Sequence, residues 1–341
     1  MDTTTSGGTY DAGTGTWTIA LPAGTTSFSG GPTFSPPADS DIDMTGLIVT
    51  ATASDGSLSA SASDTANIFV DAVIDGPSLD AADATGAEDT AIPLTITVDA
   101  GGDTDGSETL SSFVTITGVP AGATLSAGAQ TTPGTWEVPV GSLTGLTLTP
   151  PTNWSGILTL TASVSESENV TLTTPGNAEN DLSDNTATAT DTLKVIVTPE
   201  ADTPNVDASD VWVKEDGSVQ LSVQASLTDT DGSEYLTVSI SGIQSGWGVD
   251  TTTSGGTYDA GTGTWTIILP AGTNSFSGGP TFSPPADSDL DMTGLTVTAT
   301  ATELANGDTA TATDTANIFV DAVVDGPSIN ATDASGYVYT T

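Results

Sequence analysis

The sequence predicts an all-β chain of tandem two-sheet sandwich modules. Three observations predict it: side chains alternate with a period of two, the alternating runs are separated by Gly, Pro, Asp and Asn turns, and long stretches of sequence recur within the chain.

Repetition sets the organisation. Residues 3–19 (TTTSGGTYDAGTGTWTI) return at 251–267, and residues 64–73 (DTANIFVDAV) return at 314–323. A weaker repeat halves that period, because Asp75-Gly76-Pro77, Asp202-Thr203-Pro204 and Asp325-Gly326-Pro327 mark equivalent points. Between these points the same landmarks recur in order: Glu88-Asp89 then Glu215-Asp216, DTDGSE at 103–108 then 229–234, Trp136 then Trp265, and Pro150-Pro151 then Pro284-Pro285. The expected modules are about 125 residues long and alternate between two subtypes. Residues 1–75 read as the C-terminal part of a module, 76–201 and 202–324 as complete modules, and 325–341 as the first strand of a further one.

Each module carries its own strands. In the first complete one, Ile92-Leu94-Ile96-Val98, Val114-Ile116, Leu146-Leu148, Leu158-Leu160-Ala162-Val164 and Leu193-Val195-Val197 alternate with polar residues. In the second, Leu221-Val223-Ala225-Leu227, Leu236-Val238-Ile240, Leu295-Val297-Ala299-Ala301 and Ala316-Ile318-Val320 do the same. Such alternation describes strands with one buried face, and roughly seven of them per module predict a sandwich of immunoglobulin architecture. No segment has the 3.6-residue period of a useful helix. Modules that bury their own cores would form an elongated array.

Composition excludes several functions. The 44 acidic and 2 basic residues give a formal charge of −42, so the chain lacks the basic side chains a phosphate backbone requires, and nucleic acid is not an expected partner. With no Cys and no His, disulfides, structural zinc, thiol nucleophiles and imidazole acid-base chemistry are absent. No apolar run is long enough to insert in a membrane and no signal-peptide pattern is present. The 36% of hydrophobic residues suffices for cores, yet unneutralised carboxylates would oppose compaction, which directs attention to bound cations.

The acids recur with the module. Asp103, Asp105 and Glu108, and their counterparts Asp229, Asp231 and Glu234, place hard oxygen ligands at i, i+2 and i+5 of a Gly-containing turn, a set suited to Ca2+; a solvated turn is the plainer alternative. Glu88-Asp89 and Glu215-Asp216 recur at a fixed distance from these turns. The linkers add Asp71 and Asp75, Glu200 and Asp202, and Asp321 and Asp325. Asp39, Asp41 and Asp43, with Asp287, Asp289 and Asp291, resemble half of an EF-hand loop without its Gly or distant Glu, and are read equally as metal ligands or a solvated loop. A catalytic carboxylate pair should occur once rather than per module, so an enzyme is not expected. Trp17, Trp136 and Trp265 hold equivalent positions and read as core, while Trp154, Trp212 and Trp247 are unique to their copies.

The order of EDT or EDG, DTDGSE, LTLTPP, the D-T strand and D-x-P resembles the cadherin-like and immunoglobulin-like tandem repeats of giant bacterial surface adhesins, such as RTX adhesins and biofilm-associated proteins. The resemblance spans essentially the whole chain. It implies a secreted, extracellular, calcium-rigidified structural extender whose partners are calcium ions and neighbouring modules or chains. Tandem glycine-rich nonapeptides and a ligand-binding tip are missing, so no adhesive specificity follows. Asp2 matches Asp250, and no counterpart of residues 202–249 precedes it. Two readings of the ends follow: a window from a longer stalk, which the missing strands favour, or a filament subunit joined by β-strand donation. A carbohydrate-binding module is a third.

Overall fold

The computed structural model describes residues 1–341 apart from residues 5, 39, 41, 72, 103–105, 169–184 and 339–341. Among the described residues the architecture is β throughout, with a single 3-10 turn at Val140–Ser142. Two compact units form. The first gathers Met1–Ala84, Pro93–Leu148 and Leu158–Val195, and the second Thr85–Ile92, Thr149–Ile157 and Ile196–Thr341.

The second unit is a complete sandwich. One sheet runs, edge to edge, through Val211–Lys214, Thr309–Asp321, Met292–Glu303, Glu234–Ser241, Thr264–Ile268 and Thr257–Asp259. Facing it are Asn205–Ser209, Ser222–Ser226 and Ser275–Gly278, with Val219–Gln220, Thr281–Ser283 and Gly248–Asp250 as a further three-stranded piece. Pairing is antiparallel except that Val211–Lys214 lies parallel to Thr309–Asp321, Val211 opposite Ile318. Every alternating residue expected inside is inside. Leu221, Val223, Leu236, Val238, Ile240, Leu295, Val297, Ala299, Ala301, Ala316 and Ile318 are fully buried in one cluster with Trp265, Phe282 and Met292. Area removed from water on this scale, at roughly 25 cal/mol per Å2 of apolar surface, is the main source of stability in a chain that has no cross-links.

The first unit carries the other subtype. Ala129–Thr132, Thr135–Pro139, Phe113–Thr117, Gly156–Glu168 and Thr186–Thr198 follow one another in its larger sheet, and Glu108–Leu110 pairs with the far end of Gly156–Glu168. Ser78–Ala82 pairs with Thr95–Asp99. Val114, Ile116, Leu148, Leu160, Ala162, Leu193 and Val195 are buried with no measurable exposure. The same unit holds a separate two-stranded hairpin, Met44–Asp55 with Leu58–Ile68, which pairs with no other strand among the described residues.

Carboxylates tie together strands that share no backbone ladder. Asp191 Oδ2 accepts the Ala81 N–H at 2.9 Å in the first unit, and Asp314 Oδ2 accepts the Ala208 N–H at 2.8 Å in the second. Asp43 and Asp291, weighed above as EF-hand-like, each accept a backbone N–H through Oδ1, from Val70 at 2.9 Å and Val320 at 2.8 Å. Asp39 and Asp41 lie outside the described residues.

Candidate metal centre

The site is built at one end of the second unit from three pieces of chain. The first is the turn before Thr90, where Asp89 adopts a left-handed φ of 55° and its Oδ1 accepts the Asn153 N–H at 3.0 Å. Short polar Asp and Asn tolerate that conformation better than most side chains. This turn leaves Glu88 pointing inward, 3% exposed, with Oε1 accepting the Glu200 N–H at 2.7 Å.

The second piece is the DTDGSE turn. Asp229 Oδ1 accepts the Asp231 N–H at 2.8 Å and Asp231 Oδ1 accepts the Ser233 N–H at 2.6 Å, so each carboxylate caps the backbone two residues on. Gly232 supplies the positive φ, 95°, that closes the turn. Asp229 is 2% exposed, whereas Asp231 is exposed. Glu234 follows at 1% exposure, with Oε1 accepting the Asp202 N–H at 2.8 Å.

The third piece is Glu303, which sequence reasoning missed. It pairs across the sheet with Glu234 and is 1% exposed. The signal was there: Glu303 continues the inward set Leu295, Val297, Ala299 and Ala301 by one more step of two, so an acid sits where the pattern calls for an apolar side chain. In the first unit Glu166 and Glu168 extend Leu158, Leu160, Ala162 and Val164 in the same way, and both are buried.

Glu88, Asp229 and Glu303 each present one carboxylate oxygen, and these three oxygens lie within 4.8 Å of one another. No hydrogen bond reaches Glu88 Oε2, Glu234 Oε2 or Glu303 Oε2, although all three atoms are buried. Ser233 Oγ lies 3.0 Å from Asp229 Oδ2 and 3.3 Å from Glu303 Oε1, but its one proton serves a single acceptor at a time. Burial pushes Glu88 up to about 7 against the pull of the Glu200 N–H, with Asp229 and Glu303 adding repulsion. Burial likewise raises Glu234 to about 7, and it raises Glu303 and Asp202 above the ordinary carboxylate range. Several buried like charges cannot all ionise unless something positive joins them. The chain's only basic side chains, Lys194 and Lys214, are both exposed.

The other residues expected at metal sites fall into three groups. Asp89, Glu200 and Asp202 border the cluster, Glu200 and Asp202 through the N–H bonds already given. At the opposite end of the same module the arrangement repeats: Glu215 accepts the Val323 N–H and donates its own to the Asp321 carbonyl, and Asp216, at φ 62°, accepts the Asp287 N–H at 3.1 Å. There Asp216, Asp287 and Asp325 bring three oxygens within 4.8 Å, but all three side chains are exposed and solvated. In the first unit Glu108 Oε1 accepts the Asp75 N–H at 2.7 Å; Asp71 is half-buried, and Asp103 and Asp105 lie outside the described residues. Trp265 is fully buried with Nε1 donating to the Gly255 carbonyl at 3.0 Å, Trp247 is buried, and Trp212 is exposed and stacks on Phe319.

No family model matches the chain, and no curated protein matches its sequence. Among solved structures it is similar to the collagen adhesin of S. aureus, at 12% identity and a TM-score of 0.23 over 72% of this chain and 93% of that one. It is also similar to the major pilin subunit of Bacillus cereus (8%, TM-score 0.29, 72% and 69%) and to Drosophila N-cadherin EC1-4 (14%, TM-score 0.23, 82% and 58%). What the residues of the site offer is a buried cluster of carboxylate oxygens. Oxygen donors without nitrogen or sulfur suit a hard cation.

Proposed function

We propose that this chain is a structural spacer of an extracellular surface protein, built from β-sandwich modules whose ends take up calcium. The observation that carries the reading is the set of buried carboxylate oxygens on Glu88, Asp229 and Glu303, within ligand distance of each other and in part without any hydrogen-bond partner. A bound Ca2+ supplies the charge that lets these groups ionise together. The chain does the rest. The Glu200 and Asp202 N–H groups fix one oxygen each of Glu88 and Glu234, leaving the second oxygen of each buried without a hydrogen-bond partner. The Asp229–Asp231–Ser233 turn holds Asp229 in place before any ion arrives, which lowers the ordering cost of binding. Because Glu88 comes from residues 85–92 and Glu303 from the end of a core strand, ligation couples segments far apart in sequence, and stability grows with free calcium as RT ln(1 + [Ca]/Kd).

Calcium rather than magnesium is favoured by the number of carboxylates, since magnesium usually keeps several waters and takes only one or two. Millimolar calcium outside a cell would fill even a site of about 10⁻⁴ M, and the cytosol would leave it empty. The test is equilibrium calcium binding by the purified chain with and without Glu303→Gln. Binding that falls by at least about tenfold in the variant supports the reading. Equal binding by both, or none by either, overturns it.

A further inference from the structure

One two-point clamp is made in both complete modules. In the first, Asp191 Oδ2 accepts the Ala81 N–H at 2.9 Å and Asp83 Oδ1 accepts the Lys194 N–H at 2.7 Å. In the second, Asp314 Oδ2 accepts the Ala208 N–H at 2.8 Å and Asp210 Oδ1 accepts the Asn317 N–H at 2.7 Å. Each clamp binds an opening segment, which supplies an Ala N–H and the Asp two residues on, to a closing strand, which supplies an Asp and the N–H three residues on. Both bonds end on a carboxylate, the stronger kind of hydrogen bond. Beyond the clamp the opening segment turns along the edge of the closing strand: Ala84–Ala87 borders Thr186–Thr198, and Val211–Lys214 lies parallel to Thr309–Asp321.

Two further segments each carry half of it. Leu58–Ile68 has the closing half, with Asp64 and Asn67 where the second module has Asp314 and Asn317. Its register on Met44–Asp55 is that of the second module, Ala66 opposite Leu47 as Ala316 is opposite Leu295, so the Asn67 N–H faces the same outer edge as the Asn317 N–H. Asp64 Oδ1 accepts the Thr65 N–H at 2.8 Å, as Asp314 Oδ1 does from Thr315. Among the described residues no N–H reaches Asp64 Oδ2, and no strand lies along that edge. The opening half is in residues 325–338, where DGPSINATDASG repeats DGPSLDAADATG of residues 75–86 and puts Ala331 and Asp333 in the places of Ala81 and Asp83. Leu79 is half-buried and pairs with Val98, whereas its counterpart Ile329 is 96% exposed and lies in no strand.

We infer that the open edge of Leu58–Ile68 is a docking edge for such an opening segment, and that residues 328–337 of a second copy of this chain occupy it. Ala331 donates its N–H to Asp64 Oδ2, Asp333 accepts the Asn67 N–H, and residues 334–337 run parallel to residues 68–71, the register that Val211–Lys214 keeps against residues 318–321. An exposed strand edge is a template for pairing, and adding a strand to it is a common mode of recognition between chains. The match names the occupant: the segment carries both clamp groups at the spacing the chain uses twice, and its apolar side chains are bare. The contact joins different surfaces of the two copies, so it does not close on itself and repeats from copy to copy. Copies that each carry −42 repel one another, so screening salt should strengthen the contact. None of the clamp groups belongs to the cluster at Glu88, Asp229 and Glu303, and the inference stands apart from calcium binding.

The experiment is sedimentation equilibrium of the full chain in chelator and about 0.5 M NaCl, up to millimolar protein, for the wild type, Asp64→Ala, Asp333→Ala and the control Asn330→Ala, a neighbour outside the clamp. The wild type is expected to associate as its concentration rises, and more strongly than at low salt. Either clamp variant should raise the dissociation constant by about tenfold or more, and the control should leave it within about twofold. Asp64 and Asp333 are both exposed, so the Tm of each variant should stay that of the wild type. Mixing is the decisive arm. Asp64→Ala keeps an intact opening segment and Asp333→Ala an intact edge, so an equimolar mixture, at a concentration where neither associates alone, should form a dimer that grows no further. A wild type that stays monomeric, association that both clamp variants leave unchanged, or a mixture no more associated than its parts overturns the inference and leaves the calcium reading standing.

Discussion

Residues 44–68 and 292–321 form two hairpins of nearly the same sequence, the same pairing and opposite burial. In both, Met pairs with Ile at the mouth (Met44 with Ile68, Met292 with Ile318), the register slips at the same bulge, and an Asn oxygen accepts a Gly N–H (Asn67 from Gly46 at 2.8 Å, Asn317 from Gly294 at 3.0 Å). Yet Met44 is 43% exposed and Val49 61%, while Met292 and Val297 are fully buried. The difference is the company. Glu234–Ser241 pairs along Met292–Glu303 and the facing sheet covers it, whereas among the described residues Met44–Asp55 pairs only with its own hairpin partner. Local sequence sets strand, register and bulge, but a core is made by partners remote in sequence. The same holds for chemistry: Asp55 occupies the position of Glu303 and is exposed, so it has none of the unrelieved burial that makes Glu303 a ligand candidate.

The comparison can be broken most severely by truncating matched side chains. Met292→Ala should cost about 2–5 kcal/mol in chemical denaturation, and Met44→Ala no more than about 0.5 kcal/mol. Equal costs would mean that the 44–68 hairpin is buried in solution. A second manipulation supplies the missing company. With a copy of residues 202–249 fused ahead of residue 1, the amides of residues 47–53 should gain hydrogen-exchange protection comparable to that of 295–301; protection that does not change would show that the two faces are not equivalent.

Stability without calcium should depend on pH with a sign set by the buried glutamates. Glu88 and Glu234 are raised from 4.5 to about 7 by burial, so between those values the folded state holds protons that the unfolded state has released. Their contribution is fully present below pH 4.5 and is lost as pH rises towards and through 7. Melts in chelator should therefore show Tm falling across that window, and saturating calcium should flatten the fall. The smallest expected effect concerns a strand tie. Asp314→Ala loses the bond from the Ala208 N–H and should cost about 1 kcal/mol, whereas Asp64→Ala, whose carboxylate accepts the N–H of its neighbour Thr65, should cost little by the same denaturation assay.

Much of this architecture is legible in the sequence. A period of two names the inward residues between 92 and 320 correctly, with Val98 half-buried, because each sheet has one wet face and one dry face and alternation is the direct record of that asymmetry. The acidic turns are legible too, since Asp and Gly spacing dictates the capping bonds at Asp229 and Asp231. What escapes is convergence. Glu303, Glu166 and Glu168 look like the polar ends of strands until their parity is followed past the last apolar residue. Asp43 and Asp291 have the look of metal-loop acids, and the backbone N–H that each accepts, from Val70 and from Val320, is one that only the folded hairpin brings near.

The central claim is that the cluster at Glu88, Asp229 and Glu303 holds a divalent cation, and a high-resolution crystal structure grown in calcium at neutral pH, with anomalous scattering to identify the ion, tests it most directly. The account predicts a calcium ion with oxygen ligands at about 2.3–2.6 Å, among them Glu88 Oε2 and Glu303 Oε2, the atoms that otherwise lack a partner. An ion-free pocket in which these carboxyls hydrogen-bond to one another as protonated acids would contradict it.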